Sequence, residues 1–141
     1  MGVGLILITH QNLGDTLLQT AQSMLGELPE ACESIAVSQT DDPDDVRAHA
    51  RQRLESLDNG SGVLILTDMF GSTPSNVASR VARGANARVV AGVNLPMLVR
   101  VLNYRHLPLT ELVNKALSGG HDGILLCDLE SSDAAARSSH R

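Results

Sequence analysis

Two residues of this chain have types and settings that could carry chemistry together. His10 follows the apolar run Gly4–Thr9, and Asp68 follows a second such run, Val63–Thr67. A carboxylate that accepts from one imidazole nitrogen fixes the tautomer and turns the other nitrogen outward as a nucleophile. Gly71-Ser72-Thr73-Pro74 comes shortly after Asp68 and reads as a tight loop into a helix, with Thr73 as its cap and Pro74 as its first residue. Backbone N–H groups at a helix start hold phosphoryl oxygens. Together these parts make a phosphohistidine site: His10 the nucleophile, Asp68 its orienting partner, and Gly71, Ser72 and Thr73 the phosphate cradle. Each part alone has a plainer reading, as a hydrogen-bonded structural histidine, a turn aspartate or an ordinary helix start. Their shared place behind strands selects the chemistry. His49, His106, His121 and His140 have no comparable setting.

The elements that must position these residues follow from the periodicity of the chain. Continuous apolar runs at Gly4–Thr9 and Val63–Thr67 predict central strands buried on both faces. Shorter strands are expected at Ser34–Val37, Arg88–Val93 and Ile124–Cys127. Between them, helical spacing of apolar residues runs from Leu13 towards Gly26, and from the start signal Asp42-Pro43 to Leu57. Further helices open at Pro74, at Asn94-Leu95-Pro96 and at Pro108, the last stopped by Gly119-Gly120. Strands alternating with helices predict an α/β fold: a mostly parallel sheet of about five strands with helices on both faces. Ligands and chemistry then sit at the carboxyl ends of the strands. One domain over residues 1–128 is expected, with a polar tail at 129–141 that reads as disordered.

Composition narrows the function. The formal net charge is −5 and no basic stripe interleaves with aromatics, which argues against nucleic acid as a partner. Aromatics amount to 1%, so the core must come from Leu, Ile, Val, Ala and Met. No apolar run approaches the roughly 20 residues that span a bilayer. Cys32 and Cys127 form no CxxC pair and read as reduced, mostly buried thiols of a cytoplasmic protein. No metal site is expected, because no His or Cys cluster has ligand spacing. The phosphate-loop pattern GxxxxGK[ST] and the nucleophile elbow GxSxG are both absent. A response-regulator receiver would need an acidic pair where Thr9-His10 stand.

At this point the chain resembles the mannose-family IIA proteins of the bacterial phosphoenolpyruvate-dependent sugar phosphotransferase system. The likeness runs from about Val3 to Asp128. It rests on Thr9-His10, Asp68, Gly71, Pro74, Asn76, Ala78-Ser79-Arg80 and Ala91-Gly92-Val93-Asn94-Leu95-Pro96-Met97-Leu98. The resemblance implies that His10 receives phosphate from the phosphocarrier HPr, with Asp68 orienting it and Gly71–Thr73 as the cradle. It implies a cytosolic homodimer without cofactor or metal, in which the short strand Ile124–Cys127 pairs with the neighbouring subunit's sheet. The acceptor would be a separate IIB-type protein, or the phosphate would serve as a regulatory signal. Met69-Phe70 depart from the Trp that many members carry. Two alternatives stay open: a phosphotransfer subunit serving dihydroxyacetone kinase, and a non-catalytic flavodoxin-like ligand-binding module.

Overall fold

The structure, a computed structural model, describes residues 2–128. Its elements are β1 (Gly4–His10), α1 (Leu13–Leu25), β2 (Cys32–Val37), α2 (Pro43–Leu57), β3 (Val63–Thr67), α3 (Thr73–Ala82), β4 (Ala87–Ala91), α4 (Leu95–Asn103) and α5 (Leu109–Asp122). The strands form one parallel sheet in the order β2-β1-β3-β4.

That order decides where the helices go. The chain steps from β1 outward to β2, then crosses back over β1 to β3 and on to β4. Crossovers between parallel strands are right-handed, so reversing direction moves the connecting helices to the other face. Accordingly α1 packs on one face, joined by α4 and α5, and α2 and α3 pack on the other. The reversal leaves a crevice between β1 and β3 at their carboxyl ends, where open α/β sheets bind ligands.

Side chains alternate across the strands, and each face has its own residue type. Leu5, Leu7, Leu64 and Leu66 meet Leu18 of α1, Leu98 of α4 and Leu112 of α5. Ile6, Ile8, Ile35 and Ile65 meet Val46 and Leu54 of α2 and Val77 and Val81 of α3. Both central strands are buried throughout, except that His10, the last residue of β1, emerges. Gly14 allows α1 to lie close on β1: a Cβ there would sit 3.1 Å from Leu7 Cβ and 3.2 Å from Thr9 Oγ1.

Several expectations need correction. The sheet has four strands among the described residues, because Ile124–Cys127 follows α5 as irregular chain without a ladder partner. Gly119 and Gly120 do not stop α5, which runs to Asp122. They are packing glycines: a Cβ on Gly119 would meet Arg100 Cβ at 2.9 Å, and one on Gly120 would meet Met97 Cε at 2.9 Å. Ser72, not Thr73, caps α3 and leaves Pro74 as its second residue. Cys127 is exposed and Cys32 only half-buried. The expected tail at 129–141 lies outside the described residues.

Candidate functional site

The register of the sheet brings His10 and Asp68 together. Ile8 of β1 lies beside Thr67 of β3, so the residues that follow each strand emerge side by side at the crevice. His10 Nδ1 lies 2.8 Å from Asp68 Oδ2, and the His10 backbone N–H donates to the same oxygen at 3.1 Å. The second carboxylate oxygen accepts from the Met69 N–H at 3.1 Å. Burial pushes the Asp68 carboxyl up, but hydrogen bonds from the His10 ring, the His10 N–H and its own backbone outweigh that and hold it below its ordinary value. An ionised Asp68 accepts and cannot donate, so Nδ1 carries the proton and the Nε2 lone pair is free. The histidine side chain is 49% exposed against 12% for the aspartate, which gives a buried anchor and an accessible ring.

The backbone around His10 is set by its neighbours. Gln11 adopts φ 51°, the only left-handed conformation of a non-glycine among the described residues, while its N–H still donates to Val37 O of β2 at 2.9 Å. The chain therefore leaves the ladder in a sharp turn immediately after the nucleophile. Thr9 is buried and its Oγ1 accepts from the Gly14 N–H at 2.8 Å, which fastens the start of α1 to the end of β1. On the other side, the Thr67 carbonyl accepts from Gly92 and Val93 N–H at 2.9 and 3.0 Å and draws the loop after β4 to the base of Asp68. Asn94 then caps α4: its Oδ1 accepts from Met97 N–H at 2.9 Å and its Nδ2 donates to Gly120 O at 3.1 Å.

The loop from Met69 to Ser72 leads from Asp68 into α3. Gly71 takes φ 84°, a conformation that favours glycine. Its N–H reaches Ser75 Oγ at 3.4 Å, and the Ser72 N–H reaches Met69 O at 3.3 Å. Both are long, weak bonds. The Thr73 N–H, at the first position of α3, has no protein partner among the described residues. Met69 and Phe70 stand out into solvent, Phe70 being 85% exposed.

His10 and Asp68 thus meet at the carboxyl ends of β1 and β3, and the Gly71–Thr73 loop follows Asp68 in the chain. Thr9, Gln11 and the Thr67 carbonyl support the site and went unassigned in the sequence. Thr9 and Thr67 read there as strand residues, and a left-handed φ at Gln11 has no side-chain signal. Thr67 Oγ1 is buried without a hydrogen-bond partner among the described residues. No group of His, Cys, Asp and Glu among the described residues has the arrangement of a metal site. No helix among the described residues is long and apolar enough to cross a membrane.

Known proteins resemble this chain in sequence and in fold. Residues 4–117 match the family model EIIA-man, described as the fructose IIA component of the phosphotransferase system, PTS. The mannose-specific EIIAB component of Escherichia coli K12 is 35% identical over 127 residues, 88% of this chain. The match covers 39% of that relative, so the chain spans well under half its length. The fructose-specific EIIA component of Bacillus subtilis is 38% identical over 78 residues, covering 54% of this chain and 53% of its own. Among solved structures, the mannose/sorbose-specific IIA subunit from Enterococcus faecalis superposes with a TM-score of 0.83 at 28% identity. That superposition covers 93% of this chain and 98% of the other. A strand order, a length of match and a sequence likeness that agree leave one assignment: the chain belongs to the mannose-type IIA family of the sugar phosphotransferase system.

Proposed function

We propose that this chain is a phosphohistidine carrier in which His10 accepts a phosphoryl group from HPr and passes it to a IIB-type acceptor. The observation that carries the proposal is the 2.8 Å bond from His10 Nδ1 to a carboxylate held ionised, on a ring whose other nitrogen is open. The Nε2 lone pair attacks the donor's phosphorus, and the bond from phosphorus to the donor breaks with its electron pair on the donor. Nδ1 keeps its proton, so the phosphorylated ring carries a positive charge that Asp68 faces. Asp68 thereby stabilises the charge that develops during transfer, with no proton exchanged. The Thr73 N–H and the weakly engaged Gly71 and Ser72 N–H groups supply donors for the phosphoryl oxygens at the start of α3. Delivery to the acceptor reverses these steps. No cofactor or metal enters the scheme.

Incubation with phosphoenolpyruvate, enzyme I and HPr, read by intact mass spectrometry, tests this directly. One phosphoryl group, acid-labile and alkali-stable, is expected. A chain that stays unmodified while HPr is phosphorylated overturns the proposal. A regulatory use of the same phosphate has its own support: the transcriptional regulatory protein LevR of Bacillus subtilis is 27% identical over 111 residues. Pull-downs with phosphorylated and unmodified protein separate the two uses. Recovery of uptake with a sugar-specific IIB protein identifies transport.

The working unit in this proposal is a cytoplasmic homodimer. Among the described residues β4 has a neighbour on one side only, and Ile124, Leu125 and Leu126 are exposed apolar residues just past α5. Pairing that segment with the open edge of a second copy satisfies both. Light scattering at micromolar concentration is expected to give a dimer, and Leu126→Asp to dissociate it. A monomeric parent protein rules the pairing out.

A further inference from the structure

A cleft lies at the opposite end of the sheet from His10. It has a volume of about 530 Å³ and is bounded by the starts of β1, β4 and α5. Its polar lining has a distinct composition: Arg88, Arg105 and His106 supply cationic or imidazole groups, and Ser61, Asn86 and Thr110 supply hydroxyl and amide groups. No carboxylate lines it, on a chain whose net charge is −5. Arg105 is fixed in place. Its carbonyl accepts from the Val3 N–H at 3.0 Å and its Nε donates to Val3 O at 2.8 Å. That leaves its two terminal amino groups without a hydrogen-bond or ion-pair partner among the described residues. Arg88 makes no ion pair there either.

We propose that this cleft binds a small phosphate ester with a hydroxylated organic part. A guanidinium fork already held by its Nε matches the oxygens of a phosphate, and less freedom is lost per bond formed. A second guanidinium and an imidazole at the same cleft suit a dianion better than a single carboxylate. The hydroxyl and amide groups face the needs of a polyol, and Leu107, Pro108 and Val3 form an apolar wall for its carbon skeleton. The volume lies within the range of small-molecule sites. This site is separate from the phosphohistidine proposal and stands or falls without it.

The test is titration of the full chain with glycerol 3-phosphate, inorganic phosphate and glycerol, followed by amide chemical shifts. Saturable shifts centred on Arg88, His106 and Thr110 are expected with glycerol 3-phosphate, weaker ones with phosphate, and none with glycerol. Arg88→Gln leaves an exposed position filled and is expected to weaken binding about ten-fold or more, the size of a lost charged hydrogen bond. His10→Ala is expected to leave that binding unchanged. Shifts confined to residues 71–73, equal binding by Arg88→Gln, or no saturable response to either anion would each overturn the proposal.

Discussion

Asp68 and Glu33 are both carboxylates held below their ordinary range by a nitrogen partner, and they show how one interaction serves two ends. Glu33, on β2, meets Arg53 of α2 through two parallel bonds, Nε to Oε1 at 2.7 Å and Nη2 to Oε2 at 2.5 Å. The hydrogen bonds from Arg53 outweigh a small upward push from burial, and Coulomb attraction adds to them. In that pair the fork and both oxygens satisfy each other. Asp68 also has both oxygens engaged, but its partner is a ring with a second nitrogen. The carboxylate is used up while the histidine is not. An accessible group left over after the local hydrogen bonds are closed distinguishes the candidate site from the strut.

The first way to break the comparison is to remove the leftover group. His10→Ala is expected to abolish phosphorylation while circular dichroism and Tm stay near those of the parent, since His10 is exposed at a strand end. Stoichiometric labelling of this variant would place the phosphate elsewhere and sink the assignment. Removal of the partner comes next. Asp68→Ala is expected to fold and still be labelled, at a rate lower by a factor of about 10²–10⁴, the loss typical when a histidine's orienting carboxylate is removed. Rapid-quench transfer from phosphorylated HPr measures it. Parent-like kinetics would show that Asp68 is a strut like Glu33.

Most of this was legible from the sequence, for a physical reason. Central parallel strands are buried on both faces, so β1 and β3 appear as nearly continuous apolar runs and their ends are marked by the first ionisable residues, His10 and Asp68. Where burial is partial the signal fails. Ile124–Cys127 is as apolar as a strand, but an apolar run cannot say whether a ladder partner exists within the chain. Gly119-Gly120 looked like a helix stop because glycine is costly within helices, yet close approach of α4 outweighs that cost. Ser72 and Thr73 are both acceptable at a cap by type, and the backbone puts Ser72 at that position. The turn at Gln11 has no sequence mark at all.

That turn provides a subtler test of what distinguishes the two carboxylates, since nothing comparable adjoins Glu33. A β-branched residue is strained at φ 51°, at a cost of about 1–3 kcal/mol. Gln11→Val is therefore expected to lower stability by that order and to slow phosphoryl transfer, because the His10 N–H and ring must both reach Asp68 Oδ2. Gln11→Gly accepts the same φ and is expected to keep both near parent values. Urea unfolding and transfer kinetics on the two variants read the difference. If valine and glycine behave alike, the turn does not position the histidine.

The smallest effect is expected at the strut. Glu33 and Arg53 are each about one-third exposed, so water screens the pair and its contribution is modest. Glu33→Gln is expected to lower Tm by about 2–4 °C and to leave the rate of phosphoryl transfer unchanged. The pH dependence has a definite sign. The folded carboxyl of Glu33 lies below its unfolded value, so the unfolded state binds its proton first as pH falls. The stability it adds is fully present above the unfolded carboxylate range and disappears as pH falls through the lowered folded value. Parent and Glu33→Gln should accordingly differ in Tm at neutral pH and converge in acid. A gap that persists at a pH where Glu33 is protonated in both states would mean that the glutamate acts by packing rather than by charge. A change in transfer rate would mean that β2, through Val37 and Gln11, relays the state of this pair to His10.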